Sequence, residues 1–376
     1  MKISRLSTRA FRLPLRERMT SSKYSMTHRE LVLVTVDTDE GVSGTGWFTT
    51  AGIGGLSAKT LIDAYLVPLL LGEDPRNSER LWARLWANVH ASSPGGLATL
   101  AISAIDIALW DIKGKVAGEP LHRLLGGARD AVGIYASAIN LHLSKQQLLG
   151  QVREHQRLGY KAFKLKVGKP DPTEDLERCG AVRDLLGPAA EIMLDANQKW
   201  QAGEAINRCA MLAEVAPLFI EEPLLSDDIA GHAHLRAQSR VPIAVGETLS
   251  NRFEFWNYVQ AGAVDFLQPD VWKVGGVTEW LKIGAVAASA NLIISPHYSL
   301  EISIHLAAAT PCCAAVENIF GLSLHDLGAT NTPLPIHDGV VDLSAAPGHG
   351  VVFDGPALAD HEITGGFGVQ GEALAL

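Results

Sequence analysis

The sequence predicts an α/β protein, a closed barrel of eight β–α units preceded by an α+β region. Two observations carry this prediction. From about residue 130, eight short strand-like runs alternate with helical stretches. Most of those runs finish on an ionisable residue, spaced about one β–α unit from the next. Repeated β–α units imply a parallel sheet, and eight of them imply a sheet closed on itself. With 376 residues the chain can bury a large core divided between two domains.

Residues 1–125 read as α+β. The N-terminal MKISRLSTRAFRLPLRERM carries five arginines, a charge that a targeting peptide would share. It lacks the continuous apolar centre of a secretory signal, and its alternation reads as a first strand. LVLVTVDTDEGVSGTGWF (31–48) reads as a hairpin turning at Asp39, Glu40 and Gly41. Three helical stretches follow. In the clearest, 97–118, Ala101, Ile105, Ala108, Leu109 and Ile112 recur at helical spacing, and Gly118 with Pro120 ends the run.

The barrel is expected over 126–325. Its runs are VGIYAS (132–137), KAFKLKV (161–167), EIMLDA (191–196), LFIEE (218–222), PIAVGE (242–247), VDFLQPD (264–270), LIISPH (292–297) and AAVEN (314–318). Helical stretches lie between them, one opening on a Ser144 N-cap. Residues 326–376, with Gly and Pro among short strand-like runs, are expected to pack back on the first domain. GFGVQG (366–371) matches a dinucleotide fingerprint literally, but no helix can follow it so near the C-terminus.

Composition excludes several classes. The formal net charge is −9 and there is no basic run, which argues against nucleic acid as a partner. No stretch is long and apolar enough to span a bilayer, so no membrane role is expected and the cytoplasm is the default location. Cys179, Cys209, Cys312 and Cys313 form no C-x-x-C pair and read as reduced structural thiols.

The strand-end residues are Lys166, Asp195, Glu221, Glu247, Asp270, His297 and Glu317, separated by 20 to 29 residues. A single Asp after a strand is often just the N-cap of the next helix, but seven in register point to the C-terminal mouth, where such barrels carry their chemistry. Asp195, Glu221 and Glu247 close three consecutive strands. Three carboxylates in a dry mouth would raise one another's pKa, and a hard divalent cation removes that conflict. Softer ligands are absent, which argues against zinc. Glu222 points to the other side of its strand and reads as structural.

Lys166 precedes this acidic arc, and Asp270 and His297 follow it. A lysine and a histidine then face each other across a metal-held ligand, an arrangement suited to proton transfer at both faces of one carbon. Asp270 can accept from one ring nitrogen of His297 and fix its tautomer. Lys164 shares a strand face with Lys166, lowers its neighbour's proton affinity, and is available to a substrate carboxylate. An edge-strand pair facing solvent is the plainer account of the two lysines, and an interior strand of a β–α repeat does not suit it.

KLK (164–166), DANQ (195–198), IEEP (220–223), VGE (245–247), QPD with KVGG (268–276), SPH (295–297) and VEN (316–318) together resemble the enolase superfamily, in its mandelate racemase subgroup. AIDIALWDIKGK and LHRLLGG resemble that family's capping domain, so the likeness covers essentially the whole chain. It implies an α+β capping domain over a modified TIM barrel of (β/α)7β type. It implies one Mg2+ per subunit on Asp195, Glu221 and Glu247, and removal of the proton α to a carboxylate to give an enediolate. Lys166 and His297 become the acid/base pair and Asp270 the partner of His297. A protonated Glu317 donates to the enolate oxygen, and Asn197 contacts the α-hydroxyl. The muconate-cycloisomerase subgroup carries a second lysine at the end of strand six. Here Asp270 holds that place, and Lys273 lies in the following turn.

Specificity in this family lies in capping-domain loops. TSSKYSMTHRE (20–30) reads as a polar loop offering Lys23, Tyr24, His28 and Arg29 to a substrate, and FTTAGIGG (48–55) as a small, flexible flap. DANQKW and GHAHL (231–235) resemble talarate/galactarate dehydratases, so the substrate expected is a sugar diacid lost to a 2-keto-3-deoxy acid. A racemase or epimerase of a 2-hydroxy acid, of mandelate type, and a sugar-lactone cycloisomerase use the same groups. A Schiff-base aldolase and a binding protein without catalysis are the remaining readings. Such enzymes are often homo-oligomers.

Overall fold

The computed structural model describes residues 1–21, 25–138 and 140–364. Lys23, Tyr24 and the GFGVQG run lie outside them. The N-terminal region is an antiparallel sheet of β1 (Ile3–Thr20), β2 (Ser25–Thr38) and β3 (Ser43–Thr50), in that order, followed by helices α1 (Gly55–Leu61), α2 (Ser78–His90), α3 (Leu97–Ala117) and α4 (Leu121–Leu124). Gly44 and Gly46 let β3 lie directly on α3. A Cβ on Gly46 would sit 1.9 Å from the Ala104 carbonyl oxygen, and one on Gly44 2.2 Å from that of Ala108. The α3 helix ends at Gly118 in a left-handed conformation, as its sequence predicts.

The barrel strands are β4 (Ala131–Ser137), β5 (Ala162–Lys166), β6 (Glu191–Asp195), β7 (Ile220–Glu221), β8 (Ile243–Val245), β9 (Phe266–Leu267), β10 (Ile293–Ile294) and β11 (Val316–Ile319). Between them run α5 (Lys145–Arg157), α6 (Pro172–Leu186), α7 (Ala202–Leu212), α8 (Ile229–Gln238), α9 (Arg252–Gln260), α10 (Val277–Ser289) and α11 (Leu300–Ala309). Ser144 caps α5 in a capping box with Gln147. Neighbouring strands pair in parallel from β4 through β10, and β11 pairs with β4. Between β10 and β11 the circle closes through Ile294 N–H to Cys312 O (3.0 Å) and Ala314 N–H to Ile294 O (2.7 Å). The eight predicted runs are all present, several as only two paired residues, because Pro and left-handed residues interrupt the ladder soon after each one.

Past the barrel come β12 (Ile336–His337), β13 (Val340–Asp342) and α12 (Gly355–Ala359). β13 pairs antiparallel with the first half of β4, whose second half pairs with β11. Further on, Ile363 N–H bonds Ala10 O, and Glu362 holds Arg9 at 2.7 Å on β1. The C-terminal segment therefore touches both the barrel and the N-terminal sheet.

A buried set of bonds ties the N-terminal helices to α10. Asp106 accepts from Thr278 N–H (2.8 Å) and Thr278 Oγ1 (2.6 Å), so a side chain on α3 caps the start of a barrel helix. Trp110 Nε1 donates to Thr278 Oγ1 (2.8 Å) and Trp82 Nε1 to Gly275 O (2.7 Å). Burial pushes the Asp106 carboxyl up to about 7. The KVGG turn allows this approach, since a Cβ on Gly276 would lie 2.5 Å from Asp106 Oδ2.

Candidate active site

Period two along the strands builds the site. Ala162, Met193, Phe219 and Phe266 cluster inside the barrel with Tyr135 and Ala244. Residues two positions further on point the same way. They are Lys164 above Ala162, Asp195 above Met193, Glu221 above Phe219 and Gln268 above Phe266. Lys166 lies one more step along its strand. The apolar layer makes a floor, and the charges stand on it at the C-terminal mouth.

Ligand oxygens of Asp195, Glu221 and Glu247 all lie within 4.8 Å of one another. Lys164 Nζ sits among them, 2.9 and 3.0 Å from the two Glu221 oxygens and 3.6 Å from Asp195, and it also pairs with Glu317. Lys166 Nζ pairs with Asp195. At the other end, His297 Nε2 lies 3.3 Å from Glu247, and His297 Nδ1 lies 2.9 Å from Asp270 Oδ2. The amine thus contacts the first carboxylate of the triad and the imidazole the last.

The electrostatics follow from burial and company. Burial raises Glu221 well above the usual carboxylate range, and Asp195 adds to that. Burial also acts to raise Asp195, but Lys166 and Lys164 outweigh it and hold the carboxyl down, at about 2. For Lys164 burial works against the charge, yet Glu221 and Glu317 lift its pKa well above the usual lysine value. His297 is raised, because Glu247 and Asp270 outweigh burial. Glu317 departs from the protonated state that its expected role requires. Burial favours that state, but Lys164, His297 and Lys166 hold the carboxyl below its usual range. Glu222 is buried beside the triad with its oxygens taken by Gln198 Nε2 (2.8 Å) and Thr248 Oγ1 (2.9 Å), which suits a structural residue.

The donor set fits magnesium. It is all oxygen, from three strand ends, and one member, Glu221, is driven toward protonation by burial and by its acidic neighbours, a conflict a bound cation relieves.

Asn197 stands close by in a left-handed conformation, its N–H on Asp195 Oδ1 (2.7 Å) and its amide on Oδ2 (3.3 Å). The stretch 20–30 is not the loop its polarity suggests, since Ser25 onward is strand β2. His28 and Arg29 are therefore strand residues. Arg29 is buried, with Nη2 on Thr49 Oγ1 (2.6 Å) and its guanidinium 5.3 Å over the Tyr298 ring. The His28 ring packs on Gly52, and burial, helped by Arg12, lowers its pKa. Of 48–55, the first three residues complete β3 and Gly55 opens α1, where its N–H bonds Glu30 Oε2 (2.9 Å). Only 51–54 is free of regular structure.

Sequence reasoning missed four residues. Gln268 Nε2 donates to Glu221 Oε2 at 2.7 Å, and strand parity alone would have found it. Asn140 Oδ1 accepts Lys166 N–H at 3.0 Å and bridges to Thr20 at the hairpin end. Tyr298 N–H reaches Glu317 Oε2 (3.2 Å), and Ser299 Oγ reaches Asp270 Oδ1 (3.0 Å). No spacing marks these last three.

Two family models match the chain, one described as mandelate racemase / muconate lactonizing enzyme, N-terminal domain, over residues 6–126, the other as enolase C-terminal domain-like, over 147–357. A 3,6-anhydro-alpha-L-galactonate cycloisomerase of Streptomyces coelicolor is 38% identical over 94% of this chain and 97% of its own. An L-talarate/galactarate dehydratase of Salmonella typhimurium is 36% identical over 93% and 87%. The crystal structure of L-talarate dehydratase from Polaromonas sp. JS666, complexed with Mg and L-glucarate, superposes with a TM-score of 0.91 at 34% identity, covering 96% of this chain and 97% of that one.

Proposed function

The chain belongs to the enolase superfamily, and from that premise we propose that it dehydrates an acid sugar to a 2-keto-3-deoxy acid. One observation carries the reading: Lys166 and His297 stand at opposite ends of the acidic triad, so a ligand held there meets an amine on one side and an imidazole on the other. Magnesium on Asp195, Glu221 and Glu247 would act as a Lewis acid that makes the α-proton of a carboxylate acidic enough to remove.

The protein groups divide the remaining work. Lys164 binds the substrate carboxylate. Drawn toward that anion, it leaves Glu317, whose carboxyl then rises toward the protonated form that can donate to the developing oxyanion. Lys166 or His297, according to the configuration at C2, takes the α-proton. The C–H electron pair passes into the carboxylate as an enediolate, then returns to form the C2–C3 double bond as the C3–O bond breaks. The β-hydroxyl leaves as water on a proton supplied by imidazolium His297. The enol then tautomerises to the ketone. Asn197, beside Asp195, contacts the α-hydroxyl in this reading. Arg29 is committed to Thr49 and Tyr298, and His28 lies within β2 against Gly52.

A cycloisomerase is the second reading, favoured by the Streptomyces relative's name and identity. In an anhydro acid the β-oxygen belongs to a ring, so the same elimination opens the ring and keeps all atoms. Incubating a library of aldonates, aldarates and their anhydro and lactone forms with the protein and magnesium decides between them. A keto acid lighter by one water supports dehydration, and a keto acid of unchanged mass supports ring opening. Deuterium incorporation from D2O with no keto acid means epimerisation. No exchange with any acid overturns all three.

A further inference from the structure

The two halves of the proton-transfer pair are held differently, and the residue after Tyr298 explains how. Asp270 turns Oδ2 to His297 Nδ1. Its Oδ1 is taken by two donors, Trp272 N–H (2.8 Å) and the Ser299 hydroxyl (3.0 Å). Tyr298 and Ser299 both adopt left-handed backbone, with φ of 42° and 48°. Two such non-glycine residues in succession are unfavourable and persist only where their surroundings hold them. Those surroundings are present. Tyr298 N–H bonds Glu317 Oε2, its carbonyl accepts from Ser303 Oγ (2.8 Å), and its hydroxyl donates to Leu322 O. Its ring stands edge-on to Trp272 at 5.2 Å and carries the Arg29 guanidinium on its face. Ser299 is buried and directs its one hydroxyl at the carboxylate that orients the imidazole.

We propose that Ser299 is a positioning residue for the histidine half of the pair. The left-handed turn brings its hydroxyl onto Asp270 Oδ1, so that Oδ2 is aimed at His297 Nδ1 and the Nε2 lone pair faces the ligand. With only Trp272 N–H left on Oδ1, the carboxylate is free to rotate and the imidazole loses its fixed plane and tautomer. Lys166 has a different support, since the β5–β6 ladder and Asn140 set its backbone. The proposal rests on the reading that His297 serves one face of the α-carbon and Lys166 the other.

The test is α-proton exchange in D2O with magnesium, followed by NMR on two sugar acids epimeric at C2. His297→Asn and Lys166→Met identify which epimer depends on which base. Ser299→Ala should slow exchange of the histidine-dependent epimer by about 10–100-fold, the loss typical of removing such an orienting partner, while the lysine-dependent epimer changes less than about twofold. Ser299→Gly accepts the left-handed backbone without strain and should show the same one-sided loss, which separates the hydroxyl from the fold of the turn. Equal loss on both epimers, loss on neither, or normal exchange in Ser299→Gly overturns the proposal alone. No exchange by the wild-type protein overturns the functional reading and this proposal with it.

Discussion

Lys166 and His297 meet the same acidic triad from supports of different kinds. Lys166 ends a five-residue strand whose every residue is buried and whose pairing with β6 runs in register from Ala162↔Glu191 to Lys166↔Asp195. His297 follows a strand of two residues and precedes a left-handed turn, and its ring is aimed by Asp270. One group is placed by a backbone ladder, which depends little on side-chain identity. The other is placed by side-chain hydrogen bonds, each of which a single substitution can remove. Damage near the histidine should therefore be selective for its chemistry, whereas damage near the lysine should register first as lost stability.

The largest effect tests what the two flanks share. Asp195→Asn or Glu221→Gln should abolish magnesium binding in calorimetry and lower kcat/KM by about a thousandfold or more, through loss of a Lewis acid worth several kcal/mol. Undiminished magnesium binding would detach both flanks from the triad. Next, Lys166→Met and His297→Asn should each remove about 10²–10⁴-fold in proton exchange on one epimer only, the usual span for a general acid or base. Loss of the same epimer in both variants would break the comparison.

A smaller effect distinguishes the flanks by pH. His155, on the helix that feeds β5, stacks on Phe320 with centroids 3.7 Å apart, and burial pushes it from 6.5 down to about 4. Below 6.5 the unfolded chain takes a proton that the folded chain refuses. Stability from this group is therefore full above about 6.5 and falls by about 3 kcal/mol as pH drops toward 4. His297 has the opposite sign. Its raised pKa contributes stability that is full below 6.5 and is lost as pH rises through the folded value. Urea unfolding of the metal-free protein, followed from acid to alkaline pH, should show a shallower acid slope in His155→Leu and a shallower alkaline slope in His297→Asn. Last, Asn140→Ala leaves the Lys166 N–H without its acceptor and should cost about 1–3 kcal/mol in unfolding free energy, read in the same assay. A change there in the epimer ratio larger than the change in stability would mean that the lysine, too, is placed by side chains.

What was legible in the sequence is what repeats. Eight apolar runs, seven of them carrying an ionisable residue at the strand end, disclosed the barrel, because the C-terminal mouth is where period two and a 20- to 29-residue spacing coincide. The Ser144 N-cap and the Gly118 stop were equally plain, since a local bond and a left-handed glycine write themselves into residue type. Asn140, Tyr298 and Ser299 were not legible, because their effect depends on main-chain angles and partners many residues away. The stretch 20–30 misled for a related reason. It has the polar composition of a loop, and the pairing of 25–30 with β1 and β3 does not depend on that composition.

The clasp of Asp106, Trp110 and Trp82 on the KVGG turn restricts how a ligand can reach the acidic triad. Four buried hydrogen bonds would have to open together for the whole N-terminal unit to swing aside. The clasp thus keeps the N-terminal helices fastened to the barrel helix α10.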